Sequence, residues 1–242
     1  MSAKIRPYYL EILERRVSGK DLVREFFRRL RRRLSGPSSD RLVWTPASVI
    51  DADGPELSLR SYLEHRDIRK MVAHVPEGRR RRAMEVGSGF GRLVVVFEEF
   101  FPEVWGVERE LGLLEVSREL VPSVHYSNPA AITDLSAVPE PVDFAMIFTV
   151  LMHMTDADAR AVLEAMKAKA KGGWVLVVER TDAGEVYGDN ADPSSFMAHG
   201  RAIETFAEWM KPFRLVATLP RALEPTYKYI DKAGTYMLFQ DA

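Results

Sequence analysis

Ala83-Met84-Glu85-Val86-Gly87-Ser88-Gly89-Phe90-Gly91 is the stretch whose reading decides the fold. It reads as a buried strand that carries an acidic residue near its end and turns through three glycines into a helix over 93–101. Glycine has no Cβ, so Gly87, Gly89 and Gly91 let the backbone turn tightly and approach a ligand closely. A helix beginning there would aim its free N–H groups back at that ligand. Glu85 is out of place in an apolar strand, because a buried carboxylate without a partner is costly. It reads as facing the ligand or fixing the glycine loop. The next apolar run, 104–107, ends on Glu108. An acidic residue about 20 positions beyond a glycine turn is the expected partner of ribose hydroxyls. The unit therefore specifies an adenosine-containing cofactor.

The rest of the chain limits what can surround this unit. At 242 residues and 46% apolar, it has room for one α/β domain and an appendage. It has no cysteine, which excludes disulfides, thiolate zinc sites and cysteine-adduct chemistry. No apolar run reaches the roughly 18–20 residues of a membrane span, and the expected location is cytoplasmic. The net charge of −1 hides a division. Residues 1–82 hold 20 Lys+Arg against 11 Asp+Glu, and residues 83–242 hold 14 against 24. A basic arm of net +9 thus precedes an acidic core of net −10.

Residues 5–34 read as a basic amphipathic helix. Leu22, Phe26, Leu30 and Leu34 lie four apart, with Val23 and Phe27 beside them and arginines covering the remaining surface. Its competing readings are packing against its own protein, or contact with an anionic membrane or RNA. A breaker at 35–39 separates it from a helix over 58–75. The domain boundary is placed between 1–57 and 58–242. Arg79 to Arg82 reads as a solvated run. Helices follow at 110–120, with Leu111, Leu114 and Leu120 inward, and at 155–171 behind a capping box in which Asp158 replaces Glu. Further helix is expected at 202–210. Strands are expected at 124–127, 142–150, 174–178, 213–219 and Thr235–Gln240. The last two are joined without room for a crossover helix, so they must be antiparallel. Residues 181–199 form a long polar, acidic loop of the kind that builds acceptor sites.

Residues 85–91 together with Glu108 resemble motif I and the acidic end of the second strand in class I S-adenosylmethionine-dependent methyltransferases. Position 92 is Arg, where the nicotinamide-type glycine pattern would place its third glycine. The Val150-Leu151-Met152-His153 sequence after strand four and the Lys171-Gly172-Gly173 lead into strand five are similar to that family too. The resemblance implies a Rossmann-like three-layer α/β sandwich. Its seven-stranded sheet would be mostly parallel with an antiparallel last strand, and the helical appendage would lie outside it. The implied cofactor is S-adenosylmethionine, held by Glu85, Gly87, Ser88, Gly89, Gly91, Glu108, Arg109 and Thr149. Adenine would be met by Asn128 or Asp134, and the methionine end by Tyr62 or Arg66.

His153 would be the base for the acceptor proton, and a structural histidine is the competing reading. His153, Tyr187, His199 and Tyr227 would contact the acceptor. The Asn/Asp-Pro-Pro-aromatic sequence used on nucleobase amines is absent after strand four, so a small hydroxylated or saccharide-type acceptor is expected. No metal is required. The rival functions are a methyltransferase-fold module that binds RNA or membrane, and a dinucleotide-dependent oxidoreductase.

Overall fold

The structure is a computed structural model that describes residues 15–17, 19–20, 23, 57–182, 186–187, 198–222 and 234–241. Helix α1 (Leu57–Val72) precedes strand β1 (Arg82–Val86), then come β2 (Glu103–Val107), α2 (Leu111–Leu120), β3 (His125–Ser127) and β4 (Phe144–Phe148). These are followed by α3 (Asp156–Lys169), β5 (Trp174–Glu179), β6 (Val186–Tyr187), β7 (Ala198–His199), α4 (Ile203–Met210), β8 (Arg214–Pro220) and β9 (Thr235–Gln240). The main sheet runs β3-β2-β1-β4-β5-β9-β8. All its ladders are parallel except those of β9, which is antiparallel to both β5 and β8. The expected seven-stranded sheet and its antiparallel last strand are therefore present. That strand lies one position in from the edge, between β5 and β8.

The central strands are apolar on both faces, as strands covered on two sides must be. Along β4, Phe144, Met146 and Phe148 pack with α1 residues Ile68, Met71 and Val72. Ala145 and Ile147 pack on the opposite face with Val162, Leu163 and Met166 of α3 and Phe206 of α4. This alternation makes the three layers, and each large apolar side chain fully buried in them contributes about 1.5–3 kcal/mol.

Several local expectations are corrected. Motif I does not feed an α-helix, because Val94–Glu99 winds as a 3-10 helix. Three successive valines are stiff at χ1 and poor α-formers, and the tighter winding still buries Val94, Val96 and Phe97. Leu111 is 52% exposed, whereas Leu113, Leu114 and Val116 are buried. The first turn of α2 faces outward and the apolar stripe begins one residue pair later.

The arginine run is only partly solvated: Arg79 and Arg81 are exposed, and Arg82 is not. Arg82 is buried and grips Glu103 with two bonds of 2.6 Å, while Arg80 donates to Val75 O at 2.8 Å. Arg79 donates to Gly172 O and lies over the Trp174 ring. The polar loop 181–199 contains a two-rung hairpin, β6 with β7. Of the basic N-terminal helix, Arg16 pairs with Glu115 at 3.2 Å and Glu119 at 3.1 Å on α2, and Val23 is exposed. Its other apolar positions lie outside the described residues. Among the described residues no helix is long and apolar enough to cross a membrane.

Candidate active site

The strand order reverses between β1 and β4, and a crevice at the carboxyl ends of such strands is where open α/β sheets bind ligands. A cavity of about 650 Å³ opens there. The ends of β1, β2 and β4 line it with Glu85, Gly87, Ser88, Gly89, Glu108 and Thr149. Arg109, the segment 130–133, His153 and the start of α3 complete the wall.

The three motif glycines do different jobs. All have positive φ, at 75°, 57° and 85° for Gly87, Gly89 and Gly91. A Cβ on Gly87 would stand 2.5 Å from Val150 Cγ2, and one on Gly91 would press on Ser117 at 3.2–3.3 Å. A Cβ on Gly89 would meet no protein atom within 4 Å. Gly87 and Gly91 are therefore packing glycines, and Gly89 is the one bordering open space. Gly91 does not line the cavity. The loop is tied down by the Gly87 and Ser88 N–H groups, which both donate to Val107 O, and by Ser117 Oγ, which donates to Gly89 O at 2.8 Å.

Glu108 is the hub. Gly89 N–H donates to its Oε2 and Glu110 N–H to its Oε1, each at 2.8 Å. A carboxylate oxygen has two acceptor positions, so each retains capacity for a hydroxyl donor. Burial raises the Glu108 carboxyl above the ordinary range, against the two N–H bonds that lower it. Glu85 is 2% exposed, and burial pushes its carboxyl well up. Its Oε2 has no hydrogen-bond partner, and neither does the buried Ser88 Oγ. Both residues line the cavity. Two unpartnered polar atoms, a glycine facing open space and a carboxylate with spare acceptor positions are what a polar nucleoside ligand needs. The residues fit the cofactor.

Residues 84–177 match the methyltransferase-domain family. The fold is that of solved S-adenosylmethionine-dependent methyltransferases. The cavity lining suits S-adenosylmethionine, with the unpartnered Glu85 and Ser88 oxygens and Glu108 at its wall. A S-adenosylmethionine-dependent methyltransferase from Leishmania major shares the fold at TM-score 0.62 and 19% identity, over 81% of this chain and 78% of that one. The Burkholderia thailandensis 1,6-didemethyltoxoflavin-N1-methyltransferase, solved with S-adenosylhomocysteine, gives TM-score 0.61 and 15% identity over 81% and 85%. A glycopeptide N-methyltransferase in complex with S-adenosylmethionine gives 0.56 and 12% over 74% and 87%. No curated protein sequence matches the chain.

The two adenine candidates both stand outside the cavity lining. Asn128 Nδ2 donates to Glu108 O at 2.7 Å and Arg109 O at 2.9 Å, so it staples the loop after β2. Asp134 is exposed and accepts from Ser136 N–H at 3.1 Å, as a turn residue does. His199 is exposed and is not a lining residue. Tyr62 is 66% exposed, and Arg66 bonds Asp67 at 2.9 Å. Neither belongs to the lining. The Tyr187 side chain and Tyr227 lie outside the described residues. Among the described residues no cluster of three metal-ligating side chains occurs.

Sequence reasoning missed a buried charge cluster at the cavity edge. Glu64 of α1 is fully buried and pairs with Arg92, a lining residue, and with Arg221 beyond β8. Burial alone would raise the Glu64 carboxyl, but the two guanidiniums outweigh it and hold it at about 2. The signal for Arg92 was present, since an Arg in an otherwise apolar stretch after the glycines needs a carboxylate partner.

Proposed function

We propose that this methyltransferase O-methylates a small hydroxylated acceptor, such as a sugar or a lipid-linked saccharide. The observation that carries the reading is His153, placed in the wall of the same cavity as Gly89 and Glu108. The cofactor supplies an already activated sulfonium methyl. The chain's own work is then to align, to exclude water and to accept a proton; alignment alone can remove about 7–11 kcal/mol of barrier. Glu108 would accept from the ribose hydroxyls, and Gly89 would let the main chain close on the cofactor. With Asn128 and Asp134 engaged elsewhere, segment 130–133 and Leu113 are assigned to the adenine side. His153 would take the acceptor hydroxyl proton as the methyl passes from sulfur to oxygen. Histidine is the side chain most often used for such a proton transfer.

The basic N-terminal helix is assigned to packing. Arg15 and Arg16 face Glu119 and Glu115 of α2, which supports an intramolecular role over an RNA or membrane arm. These pairs are exposed and each is worth about 0–1 kcal/mol. The reading is tested by methyl transfer from labelled S-adenosylmethionine to a panel of saccharides and matching amines. His153→Asn is expected to lower turnover on hydroxyl acceptors about 10²- to 10⁴-fold with S-adenosylhomocysteine affinity unchanged. Transfer to amines alone, or an active His153→Asn enzyme, refutes the proposal.

A further inference from the structure

The turn that carries His153 is held from two sides by side chains outside the cavity lining. Glu179, at the end of β5, reaches under it. Its Oε1 accepts from Val150 N–H at 2.8 Å and Leu151 N–H at 2.7 Å, and its Oε2 accepts from Met152 N–H at 3.2 Å. Arg201, between β7 and α4, grips the carbonyls on the other side. Its Nη1 donates to Leu151 O at 2.8 Å and its Nη2 to Met154 O at 2.6 Å. Its Nε donates to Asp156 Oδ1 at 2.9 Å, tying the start of α3 to the same clamp. Glu179 is 1% exposed and Arg201 is 6% exposed, so these bonds are made largely out of water, where they count for more.

The chain enters this turn through Thr149, the one described residue other than glycine with positive φ, at 52°. Such a conformation costs about 1–3 kcal/mol and persists only where its surroundings over-determine it. Thr149 N–H is tied to Val178 O at 2.8 Å, one residue before Glu179. Strain at Thr149, three N–H groups on one carboxylate and two carbonyls on one guanidinium all converge on the residues flanking His153.

We propose that Glu179 and Arg201 are positioning residues for methyl transfer, which lock the turn after β4 so that His153 meets the acceptor in a single orientation. The proposal rests on His153 as the proton acceptor. Neither residue lines the cavity, so each acts through the backbone of the turn.

The chain has five histidines, and ¹³C-labelled histidine gives one ring signal for each, with His153 identified by its loss in His153→Asn. The full chain is studied with saturating S-adenosylhomocysteine. In Glu179→Gln, the single amide oxygen can take the place of only one carboxylate oxygen, so the amide NH₂ faces at least one of the three N–H groups. Arg201→Lys keeps the charge but loses the planar fork. Both variants are expected to split or broaden the His153 signal and to move its titration midpoint by at least about 0.3 pH units. Their S-adenosylhomocysteine affinity is expected to stay within about two-fold of wild type. If Glu179→Gln does not fold, Arg201→Lys carries the same readout. An unchanged His153 signal and midpoint overturns the proposal, whatever happens to melting temperature. Failure of His153 as a base shows separately, as an active His153→Asn enzyme with the ring signals of the two variants still altered.

Discussion

Gly87 and Gly89 are two residues apart and equally left-handed, yet alanine at each should fail in a different way. Alanine at either position carries the left-handed penalty of about 1–2 kcal/mol. At Gly87 the new methyl would also stand 2.5 Å from Val150 Cγ2, the end of a stiff β-branched side chain. Overpacking of that kind costs about 1–3 kcal/mol more. Gly87→Ala should therefore destabilise by about 2–5 kcal/mol, which for a chain of this size lowers Tm by roughly 4–20 °C. At Gly89 no protein atom lies within 4 Å of the added methyl, so only the backbone term of about 1–2 kcal/mol applies. The methyl instead occupies space at the cavity wall, and S-adenosylhomocysteine affinity should fall about ten-fold or more, roughly 1.4 kcal/mol. Thermal unfolding and isothermal titration on both variants separate the two effects. Gly87→Ala/Val150→Ala should recover part of the Gly87→Ala loss in Tm, because only the clash is relieved. The reasoning is refuted if Gly87→Ala melts within about 2 °C of wild type. It is equally refuted if Gly89→Ala binds as wild type does.

Outcomes for three further variants follow from the side chains around the cavity. Removing the Glu64 carboxylate in Glu64→Gln leaves two arginines facing a neutral group and should cost about 3–5 kcal/mol in denaturant unfolding. Its folded pKa of about 2 lies below the unfolded value near 4.5. The wild-type contribution is thus fully present above pH 4.5 and is lost as pH falls through about 2. That acid-dependent loss, about 3 kcal/mol, should be missing from the variant's stability–pH curve. Asp134→Ala should leave S-adenosylhomocysteine affinity within about 0.5 kcal/mol of wild type. Asn128→Ala should weaken it by about 1 kcal/mol, through the Glu108 and Arg109 carbonyls that its amide holds. Isothermal titration of both variants checks these values, and a loss of about 1 kcal/mol or more in Asp134→Ala would put Asp134 at the adenine instead.

The sheet was legible because its signals were local. The apolar runs over β2, β4 and β5 are nearly continuous, and β1, β2 and β5 end on or beside a glycine or an acidic residue. The short link between the last two strands leaves no room for a crossover helix. Glu108 was legible because its distance from the glycines is fixed by one strand-helix-strand unit. What could not be read depended on partners far away in sequence. Arg82 looks like surface charge until Glu103 and the Pro141 carbonyl are found beside it. Arg92 needs Glu64, 28 positions before it, a carboxylate it shares with Arg221, 129 positions after it. Asn128 and Asp134 were equally plausible at the adenine because spacing does not say which way a loop side chain turns. The 3-10 winding after motif I reflects a conflict between valine's β preference and a connection that must be helical.

The central claim is that the cavity at the ends of β1, β2 and β4 binds S-adenosylmethionine with Glu108 as its ribose anchor. Isothermal titration of S-adenosylhomocysteine into wild type and Glu108→Ala tests it most directly. Wild type should bind at micromolar strength or better, about −8 kcal/mol. Glu108→Ala should lose about 1.5–3 kcal/mol, an affinity some 10- to 150-fold weaker. Equal affinity in the two proteins, or no binding by wild type, contradicts it.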